Sequence, residues 1–499
     1  MIEAILSGFS EFFTFQILMY TLLGVIIGLV FGLMPGIGVI PVMAVLLPLT
    51  YNMGSKVAFT LLIAVQAVGF TGGSVTAILV NIPGTAANAA TLIDGFPLTK
   101  KGQGGRAVGA ALCASGLGGI LGGIVLALLI PVAYVIVMLF ASGETALMGL
   151  LGLTFIAVLS KGSTIKGFIS GFVGILLSFI GIHDVTGLLR FTFGSMYLYD
   201  GIGLIPLMVG IFAFPEIFDL IIKKGGTIAE VDRSIIRQTG WQQITTGMKD
   251  VFIYWWTFIK SSIIGIVVGI IPGAGAAVAQ FVAYGYAKQS TKHPESFGEG
   301  NIEGVIAPEA ANNSKEGGSM LPTLAFGIPG SIAMAILMAA FLINGIQPGP
   351  AMLSEHLDLT WFMIISLIIS NILGVVILLP FISILAKVAF ARGRLLIPII
   401  LLVASFGAYA SKTEFLDIIA SFAFGVLGYA MVKAEYDRVA LVLGFILGGL
   451  VERYFTIIIS AKGAAFLLRP PSLILAVMIV VLLVYNPIKG HIQKRRKEQ

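Results

Sequence analysis

Residues 72–97 read GGSVTAILVNIPGTAANAATLIDGFP. The stretch is apolar enough for a bilayer, yet Gly72-Gly73 and Pro83-Gly84 are each expected to interrupt it. Proline removes a backbone donor and clashes with the preceding turn, and glycine contributes no side-chain packing. In hydrocarbon every N–H and C=O must be satisfied internally, so a broken helix survives only inside protein or beside a water-filled cavity. Ser74, Thr76, Asn81, Thr85 and Asn88 flank the breaks. Two readings follow: a polar site built on half-helices, or close helix packing through small residues, as in GxxxG interfaces.

The stretch occurs twice. Residues 317–345 read GGSMLPTLAFGIPGSIAMAILMAAFLING. Gly72-Gly73-Ser74 matches Gly317-Gly318-Ser319, Ile82-Pro83-Gly84-Thr85 matches Ile328-Pro329-Gly330-Ser331, and Leu92-Ile93-Asp94-Gly95 matches Leu342-Ile343-Asn344-Gly345. An earlier pair of breaks also repeats: Gly28, Gly32 and Pro35-Gly36-Ile37-Gly38 recur as Gly265, Gly269 and Pro272-Gly273-Ala274-Gly275. Interrupted apolar segments at corresponding places in two halves point to a transport site.

Composition bounds the class. Of 499 residues 58% are hydrophobic and 11% charged, against roughly 25% charged in soluble proteins. Many apolar runs reach the ~20 residues that cross a bilayer. The chain reads as an all-α polytopic membrane protein of about 10–13 membrane segments, with two inverted-topology repeats and broken helices or re-entrant hairpins. Its net charge of +6 lies largely in loops and the tail, so it reports orientation and not nucleic-acid binding. Cys113 is the only cysteine, and no Cys/His cluster suggests a metal site. No basic n-region precedes the first apolar run, so no signal cleavage is expected.

Spans are expected near 15–34, 56–97, 143–160, 164–182 and 200–222, with a short, re-entrant segment at 39–50. The first repeat is 1–222, a polar inter-repeat linker 223–251, the second repeat 252–458, and 459–499 a final span with a basic tail. The linker carries Lys223, Lys224, Arg233 and Arg237. Residues 288–316 read as a polar segment before a helix beginning near Gly317, and spans follow near 360–386, 395–411, 414–432 and 438–458. The basic loop with Lys100, Lys101 and Arg106 corresponds to 347–358, which holds Glu355 and Asp358; Lys387, Arg392 and Arg394 correspond to a region holding only Glu144. Cytoplasmic loops are rich in Lys and Arg, so equivalent loops fall on opposite faces. The basic tail puts the C-terminus in the cytoplasm.

NIPGTAANAATLIDGFPLTKKGQGGRA and, at 307–331, APEAANNSKEGGSMLPTLAFGIPGS resemble the two signatures of the large membrane subunit of tripartite tricarboxylate transporters, the TctA family. The resemblance covers essentially the whole chain. It implies a secondary transporter of the prokaryotic cytoplasmic (inner) membrane that imports a carboxylate on a sodium or proton gradient. It also implies two partners, a small four-helix membrane subunit of the TctB type and an extracytoplasmic solute-binding protein of the TctC type. No other cofactor is expected. The chain carries no GxxxxGK[ST], so ATP drive within it is unsupported. A passive channel and a membrane-embedded enzyme are the alternatives; no nucleophile–base pair or intramembrane carboxylate pair stands out for the latter.

The expected substrate shell is Pro83, Gly84, Thr85, Asn88, Asn312, Asn313, Pro329, Gly330 and Ser331, with free N–H groups near Thr85 and Ser331 facing a carboxylate. Ser74, Asn81, Ser319 and Thr323 offer hard oxygens suited to sodium. Glu309, Asn312, Asn313 and Glu316 read either as caps and loop hydrogen bonders or as site residues. Asp94 reads as a helix-end or turn residue. His183, His293 and His356 are isolated, and His491 belongs to the basic tail.

Overall fold

The computed structural model describes residues 1–34, 38–85, 87–159, 164–183, 186–222, 240–385 and 393–497. Nearly all of them are helical, with a two-residue strand pair, Gly181–Ile182 against Leu189–Arg190. In chain order the first half holds α1 (Ile2–Phe12), α2 (Phe15–Gly32), α3 (Val39–Leu46), α4 (Ser55–Val80), α5 (Ala89–Lys100), α6 (Gly104–Val137), α7 (Ser142–Leu159), α8 (Thr164–Ser178), α9 (Leu204–Met208) and α10 (Phe214–Ile222). The second half holds α11 (Trp241–Ile253), α12 (Trp255–Ile270), α13 (Gly275–Ser290), α14 (Glu303–Phe326), α15 (Ile332–Ile343), α16 (Pro350–Ser354), α17 (Leu357–Leu385), α18 (Gly393–Lys412), α19 (Phe415–Lys433) and α20 (Arg438–Lys462); α21 (Pro470–Lys497) follows. Among the described residues, α2, α4, α6, α17, α19 and α20 are long and apolar enough to cross a membrane, and α11 with α12 forms a seventh such unit bent by 77°. The all-α polytopic reading stands.

The packing exchanges elements between halves. α6 lies on α14 and α17 on α4; α11 lies on α6 and α1 on α17; α20 lies on α7 and α8, while α10 lies on α18 and α19. Each half therefore completes the other. The core of this exchange is α4, whose apolar window is wholly buried. Close approach is bought with glycine. Gly24, Gly28 and Gly32 recur every fourth residue along α2, and a Cβ at each would strike the backbone carbonyl of Leu61, Val65 or Gly69 on α4. Gly265 and Gly269 do the same for α12 against the carbonyls of Ala311 and Lys315.

Two sequence expectations are corrected. Gly72-Gly73 does not interrupt a helix: α4 runs through it, and Gly317-Gly318 lies inside α14. Both pairs serve contact: a Cβ at Gly72 would meet the Leu29 carbonyl at 3.0 Å, and one at Gly317 would overlap the Gly122 backbone. Helix packing through small residues is thus the correct reading for these glycines. Second, residues 303–316 are not a polar loop but the first half of α14, with Glu309, Asn312, Asn313 and Glu316 all buried. Residues 241–251 of the connector between halves are helical. Lys223, Lys224, Arg233, Arg237, Lys387, Arg392 and the Pro35-Gly36-Ile37 break lie outside the described residues.

The true breaks sit later. α4 ends at Asn81 (φ 60°) and α14 at Gly327 (φ 67°), both left-handed caps. Asn and Gly are the residues that tolerate this conformation.

Gly317→Val should destabilise the protein by about 1–3 kcal/mol, since the neighbouring backbone cannot yield. Gly449→Val, where an added Cβ meets nothing within 4 Å, should not. The temperature at which detergent-solubilised protein loses monodispersity checks both.

Candidate functional site

Four helix starts converge on one cavity of about 960 Å³. Gly38 and Val39 begin α3, Thr85 and Ala87 precede α5, Ala274 and Gly275 begin α13, and Ser331 and Ile332 begin α15; all line the cavity. The first N–H groups of a helix have no intrahelical partner, and the macrodipole adds partial positive charge there. The space enclosed by all four interruptions is therefore suited to an anion. The sequence pointed to two tips, and the structure adds the starts of α3 and α13.

Lys315 also lines the wall, though it is only 1% exposed, and the carboxylate residues Glu216, Glu435 and Asp437 line the same cavity. The Lys315 Nζ lies 2.5 Å from Glu316 Oε1, off the hydrogen-bonding direction, and 5.3 Å from the centre of the Phe70 ring. Gln66 Nε2 donates to the other Glu316 oxygen. Arg438, at the start of α20, also lines the cavity, but it donates to the Ile211 carbonyl at 3.2 Å and to Glu216 at 3.4 Å.

Asn88 wires the first tip. Its Oδ1 accepts from Thr85 N (3.1 Å) and Thr85 Oγ1 (2.7 Å), and its Nδ2 donates to the Phe70 carbonyl (3.0 Å) and Ser74 Oγ (2.8 Å). Gly84 N donates to the Gly73 carbonyl at 3.3 Å. The N–H groups of Gly84 and Thr85 are thus already paired, contrary to expectation, because α5 starts at Ala89 and the intervening turn folds on itself. At the second tip Ser331 caps α15 by accepting from Met334 N at 3.3 Å, and Ile332 and Ala333, in the first turn where N–H groups have no intrahelical partner, line the cavity.

The expected shell divides accordingly. Pro83, Gly84, Thr85 and Ser331 line the cavity. Asn88, Asn312 and Asn313 are buried and do not line it; Asn313 Nδ2 donates to the Ala67 carbonyl, Thr71 and Asn371. Pro329 and Gly330 stand behind the tip, with Gly330 N donating to Thr323 Oγ1 at 3.3 Å. The four expected cation ligands are not grouped. Asn81 is exposed at the end of α4, Ser319 donates to the Glu316 carbonyl, and Thr323 donates to the Ser319 carbonyl. Ser74 instead donates to Glu309 Oε1 at 2.6 Å.

Glu309 and Asp94 each anchor a hydrogen-bond cluster. Glu309 is fully buried and accepts from Ser74, Thr91 and Ser115. Asp94 is also fully buried, and one oxygen accepts the N–H groups of Gly298, Gly300 and Asn301 at 2.8–2.9 Å while Tyr284 donates to the other. It is a clamp between α5 and the loop before α14, not a simple turn residue.

Residues 18–443 match the model of the tripartite tricarboxylate transporter TctA family. The chain belongs to that family. It is 33% identical over 469 residues to an uncharacterised 52.8 kDa protein of the TAR-I ttuC′ 3′ region of Agrobacterium vitis, covering 93% of this chain and 91% of that one. An uncharacterised protein of the TAR-II ttuC′ 3′ region of the same organism is 37% identical over 209 residues, 42% of this chain and 86% of the relative. No solved structure matches the chain. A TctA-family protein is a transport subunit, and in this one the first quoted signature, residues 81–107, folds as the turn after α4, α5 and the start of α6, and the second, residues 307–331, as most of α14 and the tip before α15.

Asn88→Leu is expected to loosen the turn around Thr85 and Asn88, because its four hydrogen bonds to Thr85, Phe70 and Ser74 are lost, at about 1–3 kcal/mol for each buried group left unsatisfied. Hydrogen–deuterium exchange should show faster uptake in that turn and unchanged uptake in α17.

Proposed function

We propose that this TctA-family subunit carries a small tricarboxylate or dicarboxylate through the cavity between α5 and α15, as a secondary transporter driven by sodium or protons. The convergence of four helix starts beside Lys315 carries the reading. A carboxylate would meet the N–H groups at the start of α15 and the Lys315 ammonium, and the paired Glu316 would release part of that ammonium to it. Helix dipoles supply most of the charge preference without further buried cations, which are costly to place in a membrane.

The membrane field sets the need for coupling. A dicarboxylate entering a cell at 100 mV, negative inside, opposes about 4.6 kcal/mol, and two monovalent cations only cancel its charge. A third makes uptake electrically favourable. The subunit works in the prokaryotic cytoplasmic membrane, with its C-terminus in the cytoplasm, beside a small four-helix membrane subunit and a solute-binding protein that delivers the carboxylate. The exchange of elements between halves suits two inverted repeats rocking or sliding about the cavity.

Radiolabelled carboxylate uptake into proteoliposomes holding both membrane subunits, with binding protein added and ion gradients varied, tests this. Concentrative, saturable uptake is expected; uptake that never exceeds equilibration would refute it. Replacing Lys315 by Met together with Glu316 by Gln removes the pair without stranding a charge. That variant should raise the half-saturating concentration by about 10- to 100-fold, the loss expected for a charge-assisted hydrogen bond.

A further inference from the structure

Glu309 sits where four helices meet. Ser74 Oγ of α4 and Ser115 Oγ of α6 each lie 2.6 Å from its carboxylate, and Thr91 Oγ1 of α5 bonds to it as well. Asn312, one turn on along α14, lies beside the same carboxyl. It is fully buried, and neither its Nδ2 nor its Oδ1 makes a hydrogen bond of good geometry. A buried amide without a well-formed hydrogen bond is costly, and here it flanks a carboxylate with no ion-pair partner among the described residues.

We propose that Glu309, Ser74, Thr91, Ser115 and Asn312 form a sodium-binding site that couples cation entry to the substrate cavity. The proposal rests on the gradient-driven reading above and names the cation and its place. Its donors are all hard oxygens, the set that suits alkali and alkaline-earth ions and not transition metals. One carboxylate balances one positive charge, whereas divalent sites are usually built with several carboxylates. The other charges nearby are committed. Asp94, one turn beyond Thr91 on α5, is held by three N–H groups and Tyr284. Lys315 and Glu316, two turns along α14, face each other.

The geometry also supplies the link to transport. Sodium, close in size to calcium, takes oxygens at about 2.3–2.6 Å, so it must separate hydroxyls that now touch the carboxylate and turn their protons away. Ser74 has a second acceptor ready, the Phe70 carbonyl at 3.3 Å. Ser74 Oγ also accepts from Asn88 Nδ2, and Asn88 Oδ1 holds Thr85 at the cavity wall. A shift at Glu309 therefore reaches the first tip through Ser74 and Asn88. Gly73 keeps that path tight, since a Cβ there would collide with Asn88 Oδ1.

The test is 22Na+ binding to the purified full chain in nanodiscs, without substrate or partner, at constant ionic strength in choline chloride. Wild type should bind saturably. Glu309→Gln should weaken binding at least tenfold, and Ser115→Ala, which keeps the charge and covers the case of a misfolded Glu309→Gln, should weaken it measurably. With Thr85→Cys in a Cys113→Ser background, sodium should change the rate of thiol labelling, and Glu309→Gln should abolish that change. Wild-type binding in both variants overturns the site but leaves carboxylate transport standing. A wild type that binds no sodium, while uptake follows a proton gradient, also overturns it. Sodium binding lost in both variants supports the site even if uptake assays fail, in which case the carboxylate reading is what falls.

Discussion

The need to satisfy backbone polar groups in hydrocarbon governs this structure. A helix interior meets it locally; each interruption releases N–H and C=O groups that lipid cannot pair. The protein answers by turning the interruptions before α3, α5, α13 and α15 toward one cavity and by enclosing them with α4 and α14. That enclosure needs backbones in contact, which is why glycines line α2, α6 and α12 where they cross these two helices. The cavity and the glycine seams are thus two consequences of one requirement.

The two halves share a frame but not a chemistry. Aligned on Gly72-Gly73-Ser74 and Gly317-Gly318-Ser319, Lys315 falls opposite Phe70, Glu316 opposite Thr71 and Glu309 opposite Ala64. Lys315 even rests over the ring of its own counterpart. Repetition supplies paired tips, while the charged residues of the cavity wall, Lys315 with Glu216, Glu435, Asp437 and Arg438, have no such pairing. Glu309 stands apart from the cavity wall, buried behind it among the hydroxyls of Ser74, Thr91 and Ser115.

The breaks were legible from sequence because proline, glycine and asparagine announce them locally: Pro83-Gly84 and Pro329-Gly330 stand at the two tips, and Asn81 and Gly327 cap the helices before them. Gly72-Gly73 and Gly317-Gly318 misled, since a glycine pair reads the same whether it breaks a helix or seats another against it. The run Asn312-Asn313-Ser314-Lys315-Glu316 looked like a loop because its polar residues exceed what an isolated helix would bury. Their partners Gln66, Thr71 and Asn371 are distant in the chain. The Glu309 cluster was illegible for the same reason: its hydroxyl donors lie 194 to 235 residues away, and no spacing rule joins them.

The central claim is that one anion site lies between the α5 and α15 tips. A cryo-electron microscopy map of the subunit assembly with saturating carboxylate tests it most directly. The account predicts ligand density against the start of α15, within reach of Lys315 Nζ. Density instead in the smaller cavity lined by Gln347, Leu450 and Arg453, with the space between the tips empty, would contradict it.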